Sequence, residues 1–119
     1  MVLLHSKLEN RYKFFKAKFM SYNNIFSKIT GTSLKGVVDT TYSELVEAFG
    51  KPVATSFDCD KIDAMWVLET PSGVATIYNY KDGVAYCGAS GMKVQDIKEW
   101  HVGGVNMGVV NYVEKSLSV

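Results

Sequence analysis

The chain has 119 residues, of which 47% are hydrophobic, 13% aromatic and 21% charged, and its formal net charge is +1. This length and composition predict one folded domain and exclude an intrinsically disordered protein. No apolar run approaches the roughly 20 residues that cross a bilayer, so no membrane span is predicted. With no export signal and only Cys59 and Cys87, we expect reduced thiols in a cytoplasm rather than a disulfide scaffold.

Positive charge is concentrated at the N-terminus. Residues 1–28 carry six basic residues and one glutamate, a net charge of +5, whereas residues 29–119 carry seven lysines and eleven acidic residues, a net charge of −4. A basic arm of this kind can contact nucleic acid, an anionic membrane, an acidic partner, or the acidic body of its own or a neighbouring copy. Its basic residues of interest are Lys7, Arg11, Lys13, Lys16 and Lys18.

The same arm has the apolar spacing of an amphipathic helix. Steps of four, four, three and four residues place one stripe on one side of the helix, formed by Leu4, Leu8, Tyr12, Phe15 and Phe19. An isolated helix of this length is marginal in water, so we expect the stripe to dock on the body or on another copy. Residues 20–32 lose the pattern and predict a linker. We therefore divide the chain into a helical arm with its linker (1–32) and one domain (33–119); whether Met1 or Met20 is the natural start stays open.

The domain opens with a strand and a well-marked helix. Residues 33–39 have the β-branched content of a strand. Thr41 and Glu44 then form a capping box, in which each side chain accepts a hydrogen bond from the other residue's amide. Gly50 follows the apolar face and a proline comes soon after, so the pattern predicts a helix over 41–49.

Strand patterns fill the middle of the chain. Alternating apolar residues predict a strand over 62–69, and a second strand over 74–80 follows a short turn, so the two should pair as an antiparallel hairpin. Another turn at 81–83 leads into a predicted returning strand at 84–87.

The last third of the sequence predicts an exposed loop at 88–95, a strand at 97–102 and a helix from about 106 to 117. Together the elements predict an α+β fold. We expect an antiparallel sheet of four to five strands with helices packed mainly on one face, preceded by the amphipathic basic helix.

No pattern of catalytic or metal-binding residues is evident. His5, His101, Cys59 and Cys87 lack the short spacing of zinc ligands, and the acidic segment 58–63 lacks the central glycine and distal glutamate of a calcium loop. No signature of a nucleophilic cysteine, a phosphate loop or a dinucleotide site is present. We therefore predict no catalytic residues, no metal and no cofactor, and we expect that the protein is not an enzyme.

One segment has the features of a small-anion site. A predicted strand ends in two glycines just before a predicted helix, where free backbone amides can hold a phosphate or carboxylate. The alternative is an ordinary tight turn with a left-handed glycine. The candidate ligand-binding residues are Trp100, His101, Gly103, Gly104 and Asn106.

Aromatic residues on neighbouring predicted strands indicate a second kind of site. If a sheet face carrying them has no covering helix, it would be a binding surface for a protein or for bases; otherwise the aromatic residues belong to the core. The candidate partner-binding residues are Tyr78, Tyr80, Lys81 and Tyr86.

Four segments give the chain a family resemblance: FGKP at 49–52, DAMWVLE at 63–69, ATIYNYKDG at 75–83 and EWHVGG at 99–104. Over residues 37–117 the chain resembles a group of short phage-encoded proteins with an FGxP helix end, a tryptophan strand, an ATIYxWK-like strand and a WHIGG-like turn. The chain departs from that group at two positions: it has Tyr80 where the group often has tryptophan, and Val102 where the group often has isoleucine. The resemblance implies a viral accessory protein in the cytoplasm of a bacterial host and brings no catalytic residue with it.

We therefore expect a small phage accessory protein that binds and inhibits or sequesters a host component, such as a defence factor, without catalysis. Two alternatives stay open. The protein could bind a small nucleotide-like anion at the glycine pair, or it could be a nucleic-acid-binding module that uses the basic arm. A homo-oligomer also stays open.

Overall fold

A five-stranded antiparallel sheet forms the body of the structure, a computed structural model that describes residues 29–118. Its strands are β1 (Ser33–Asp39), β2 (Ala54–Thr55), β3 (Ala64–Thr70), β4 (Gly73–Tyr78) and β5 (Glu99–Gly104). Their spatial order is β1-β5-β4-β3-β2, and every neighbouring pair is antiparallel. The predicted α+β class, the hairpin and the strand number are confirmed. The predicted helix of the arm lies outside the described residues.

Three α-helices belong to the described chain: α1 (Tyr42–Phe49), α2 (Val84–Cys87) and α3 (Gly108–Leu117). Helix α1 begins with the predicted capping box. The Glu44 amide donates to the Thr41 hydroxyl at 3.2 Å, and the Thr41 amide donates to Glu44 Oε1 at 3.1 Å. The helix ends at Gly50, whose φ of 84° is a left-handed value that glycine adopts without strain.

Helices α1 and α3 pack on the same face of the sheet, as predicted. Their buried apolar residues join those of the strands in one core, in which Trp66 and Trp100 meet edge to face with ring centroids 5.5 Å apart. The core residues are Val38, Leu45, Ala48, Phe49, Ala64, Trp66, Leu68, Ala75, Ile77, Ile97, Trp100, Val102, Val109, Val110 and Val113.

The opposite side of the sheet is here called the open face because neither α1 nor α3 lies on it, although Thr76 and Val67 at its centre are only 3% and 2% exposed. The strand register places Val37, His101, Tyr78 and Met65 in one row across β1, β5, β4 and β3. A small apolar cluster around Val67 lies on this face. The residues packed against Val67 are Ile29, Val53, Met65 and Val74.

Three predicted elements need correction. Residues 84–87 form a helical turn rather than a returning strand, because the Asp63 carboxylate accepts a hydrogen bond from the Ala85 amide at 3.2 Å and holds the start of α2. The last strand does not end at residue 102 but continues through Gly104, and the last helix begins at Gly108 rather than at 106. The two-residue strand β2, which pairs with β3, was not predicted.

Candidate functional site

Two tyrosines and a lysine meet on the surface just beyond β4. The Lys81 Nζ lies 5.2 Å from the ring centroid of Tyr80 and 5.2 Å from that of Tyr86, within the range of a cation–π contact. Val84 belongs to the same short helix as Tyr86. Met92 lies beside the start of that helix, because its backbone forms an isolated β-bridge with Gly83. We call Tyr80, Lys81, Val84, Tyr86 and Met92 the tyrosine patch. Its four apolar and aromatic members are 44% to 51% exposed.

The backbone of Lys81 is held in an unusual conformation. Its φ is 61°, and Lys81 is the non-glycine residue with positive φ among the described residues. The Lys81 amide donates to the carbonyl of Lys61 at 2.9 Å, and the Cys87 thiol donates to the Lys81 carbonyl at 3.2 Å. Such strained residues persist only where the surroundings fix them, and they cluster at functional sites.

A buried asparagine anchors the loop that carries the patch. Asn79 is 1% exposed, and its amide group donates to Asp63 Oδ1 at 2.8 Å and to Asp82 Oδ1 at 3.0 Å. Its carbonyl oxygen accepts from the amides of Asp63, at 2.8 Å, and Ala64, at 3.2 Å. One side chain therefore joins the start of β3 to both ends of the turn after β4, and all four of its hydrogen-bonding positions are used.

Two glycines allow the same region to close tightly. A Cβ on Gly83 would collide with Asp63 Oδ1, and a Cβ on Gly91 would collide with the carbonyl of Gly83. The Met92 amide donates to the Asp82 carbonyl at 3.0 Å. The segment 83–92 is thus locked onto the Asp63–Asn79–Asp82 network, and the patch is presented on a rigid support.

Tyr78, the fourth residue predicted for this surface, borders the patch. It lies on the open face, where its ring meets the His101 ring edge to face with centroids 5.4 Å apart. Burial, followed by the nearby Tyr80, raises the pKa of the Tyr78 phenol above its usual value of 10. Tyr80, Lys81 and Tyr86 lie close together, with Tyr78 at the edge. They do so in the loop and the short helix that follow β4, and not on a sheet face as the strand pattern predicted.

The five candidate anion-binding residues do not converge on one pocket. Trp100 is buried under the helices, whereas His101 lies on the open face. Gly103 and Gly104 sit inside β5 and pair with β1 on one side and β4 on the other, so they do not form the predicted turn.

Asn106 has a structural contact instead. Its side chain donates to the carbonyl of Ser72 at 2.9 Å and accepts from the amide of Gly108 at 2.8 Å. Anion binding stays a prediction, and this geometry does not favour it.

Gly104 is required by packing rather than by a left-handed backbone. A Cβ there would lie 2.5 Å from Val109 Cγ2 and 3.2 Å from the carbonyl of Val74. We expect Gly104→Ala to lower the free energy of unfolding by about 1–3 kcal/mol, because an overpacked core must shift. Urea denaturation measures this loss. Combining it with Val109→Ala should recover part of the stability lost to the contact, and purely additive effects would contradict the explanation.

The tryptophans are not part of an exposed aromatic surface. Trp66 and Trp100 both belong to the core, which was one of the two outcomes left open for the aromatic residues of the strands. Phe57, in the loop between β2 and β3, is fully exposed and was not predicted to be so. A single phenylalanine among loop residues has no periodicity that would mark it as exposed.

Residues 29–118 hold no cluster of three or more histidine, cysteine, aspartate or glutamate residues suited to a metal ion. Cys59 and Cys87 are free thiols. None of the helices over these residues is long and apolar enough to cross a membrane. His5 and the basic residues of the arm lie outside the described range.

Comparisons of the chain with protein-family models, with curated proteins and with solved structures found no match. The function must therefore be inferred from the surface itself.

Proposed function

We propose that this protein is a non-catalytic binding protein that holds a partner protein through the tyrosine patch. The observation that supports the proposal is the pair of half-exposed tyrosine rings fixed around Lys81 on an anchored loop. Methionine, tyrosine and the other two aromatic residues, tryptophan and phenylalanine, are enriched in protein interfaces, where a few residues provide most of the binding energy. The partner that we propose is a host component that the protein inhibits or sequesters, in line with the resemblance to short phage-encoded proteins.

The rigidity of the patch supports binding for an energetic reason. Ordering a flexible loop on association costs free energy, which offsets part of the favourable interaction with the partner. Here the network around Asn79 has already fixed the loop, and Lys81 already lies between the two rings. Tyrosine also adds little entropy cost because it has only two side-chain torsions. A partner could therefore bind Tyr80 and Tyr86 without first ordering them.

The test measures partner binding by Tyr86→Ala against a matched control. Truncating a central interface residue costs about 2 kcal/mol or more, so we expect affinity to fall roughly 30-fold or more. Tyr86 is half exposed, so the variant should keep its stability. The full chain captures proteins from bacterial lysate, and the affinity of the enriched protein is then measured for each variant.

Met107→Ala is the control, because Met107 is as exposed as the patch but lies beside the turn between β3 and β4, at the other end of the strands. We expect this variant to bind like the unmodified chain. Equal binding by the Tyr86→Ala and Met107→Ala variants would show that the partner uses another surface. Stabilisation by nucleotides, or salt-dependent binding of nucleic acid, with no protein captured would favour one of the two alternative functions.

A further inference from the structure

We propose that two copies of this chain associate by pairing their β1 strands antiparallel, edge to edge, about a two-fold axis at Val37. Strand β1 lies at one edge of the sheet, and the tyrosine patch follows β4 in its interior. The proposal concerns a different part of the surface from the patch and does not rest on the proposed function. Three observations support it: the backbone groups on the outer edge of β1, the exposure of its side chains, and the order of its charges.

The outer edge of β1 presents backbone hydrogen-bonding groups. The Thr40 amide donates to the carbonyl of Lys98, just before β5, at 2.9 Å. Alternate residues of an antiparallel strand bond to the same neighbour, so Val38 also faces β5. The amide and carbonyl groups of Val37 and Asp39 therefore point to the outer edge, where none of the described strands pairs with them. Such groups are a template for a further strand.

Strand β1 has few of the features that keep a sheet edge from pairing. It is seven residues long and contains no proline, whereas β2 at the other edge has two residues. A β-bulge at Lys35, between Leu34 and Gly36, leaves the second half of the strand regular. Val37 lies in that half and is 46% exposed, although it is apolar. A paired strand would cover part of this side chain.

The charges of β1 complement each other in one antiparallel register. Lys35 and Asp39 lie two positions to either side of Val37. When Val37 of one copy lies opposite Val37 of the other, each lysine therefore lies opposite an aspartate, and the outward backbone groups of Val37 face each other. Centring the pair on Lys35 or on Asp39 would instead place like charges opposite each other. Opposite charges stabilise a cross-strand pair and like charges destabilise it, so the register centred on Val37 is favoured.

The same register places a cation beside a like-charge pair within each sheet. Asp39 and Glu99 are direct cross-strand partners on β1 and β5, and both are exposed. Two like charges in directly opposite positions destabilise a sheet. Lys35 of the second copy would lie next to Asp39 and offset this repulsion. Because one strand supplies both the lysine and the aspartate, a second copy is the occupant that these charges fit, in a symmetric two-fold interface.

The test reverses the two charges in the 119-residue chain. Sedimentation equilibrium measures the association constant of the unmodified chain, of Lys35→Asp, of Asp39→Lys and of the double variant. We expect each single reversal to weaken association roughly tenfold, because two attractive contacts per dimer become repulsive. The double variant is the matched control, because it restores both attractive contacts and should associate at least as tightly as the unmodified chain.

Hydrogen exchange of backbone amides shows whether β1 is the interface. In the dimer of the unmodified chain, the Val37 amide should exchange slowly, because it donates to the second copy. In the Lys35→Asp chain at monomeric mass, it should exchange quickly. The Val38 and Thr40 amides face β5 and should stay slow in both proteins, which makes them internal controls for an intact sheet.

A dimer that is weakened by either single reversal, is restored in the double variant and protects the Val37 amide supports the proposal. A chain of monomeric mass at all concentrations, or an association constant that neither reversal lowers, would overturn it. Fast exchange of Val37 in a dimer would assign the interface to another surface, and slow exchange at monomeric mass would mean that the chain covers its own edge. If circular dichroism shows that a reversal disturbs the fold, Lys35→Gln and Asp39→Asn are read in the same way.

Discussion

Trp66→Ala should lower the free energy of unfolding by about 3–5 kcal/mol, the usual cost of removing a large buried aromatic side chain. Trp66 is 1% exposed and lies between Tyr42, with ring centroids 5.8 Å apart, and Trp100. Its indole also donates to the carbonyl of Gly50 at 2.8 Å, which ties the end of α1 to β3. The substitution thus leaves a cavity and removes that donor at the same time.

Thermal and urea unfolding followed by circular dichroism measure the loss. For a domain of this size, a loss of 3–5 kcal/mol lowers the unfolding midpoint by about 10 °C or more. Trp66→Phe is the matched control, because it keeps an apolar ring but loses the hydrogen bond to Gly50, and its loss should be smaller. A Trp66→Ala protein that melts within about 2 °C of the unmodified chain would contradict the position of this residue in the core.

The features that could be predicted from the sequence are those that neighbouring residues determine. The capping box needs only Thr41 and Glu44, which are three positions apart, and both of its hydrogen bonds form. The hairpin of β3 and β4 follows from two apolar strand patterns separated by a short turn. For the same reason, Tyr80 and Lys81 could be placed on one surface, because they lie together in the turn that ends β4.

The features that were missed depend on residues far apart in the chain. Four apolar residues at 84–87 fit a strand or a helix equally well, and the deciding hydrogen bond comes from Asp63, which is 22 positions from Ala85. Paired glycines usually mark a turn, but Gly104 is glycine because Val109 of α3 packs against it. Met92 reaches the tyrosine patch only through its bridge to Gly83. None of these contacts has a local sequence signal.

The hydrogen-bond network of Asn79 was also missed, and it leads to the second large expected effect. Asn79 sits where the alternation of β4 places a core residue, so its position alone indicates burial but not its partners. We expect Asn79→Ala to lower the free energy of unfolding by roughly 2–6 kcal/mol. Each buried donor that loses its hydrogen-bond acceptor costs about 1–3 kcal/mol. The substitution removes the acceptor of two donors, the amides of Asp63 and Ala64. It also leaves the carboxylates of Asp63 and Asp82 without the amide group between them.

The matched control is Asn106→Ala, because Asn106 also makes two side-chain hydrogen bonds but does so at an exposed position. Water can replace its lost partners, so we expect that variant to lose about 1 kcal/mol or less. Urea denaturation compares the two variants, and equal losses would contradict a special role for the buried network. Partner affinity gives a second, independent measurement under conditions where the Asn79→Ala protein is still folded. Because the network fixes the turn that carries Lys81, the folded Asn79→Ala protein should bind the partner more weakly, whereas the Asn106→Ala protein should bind it normally.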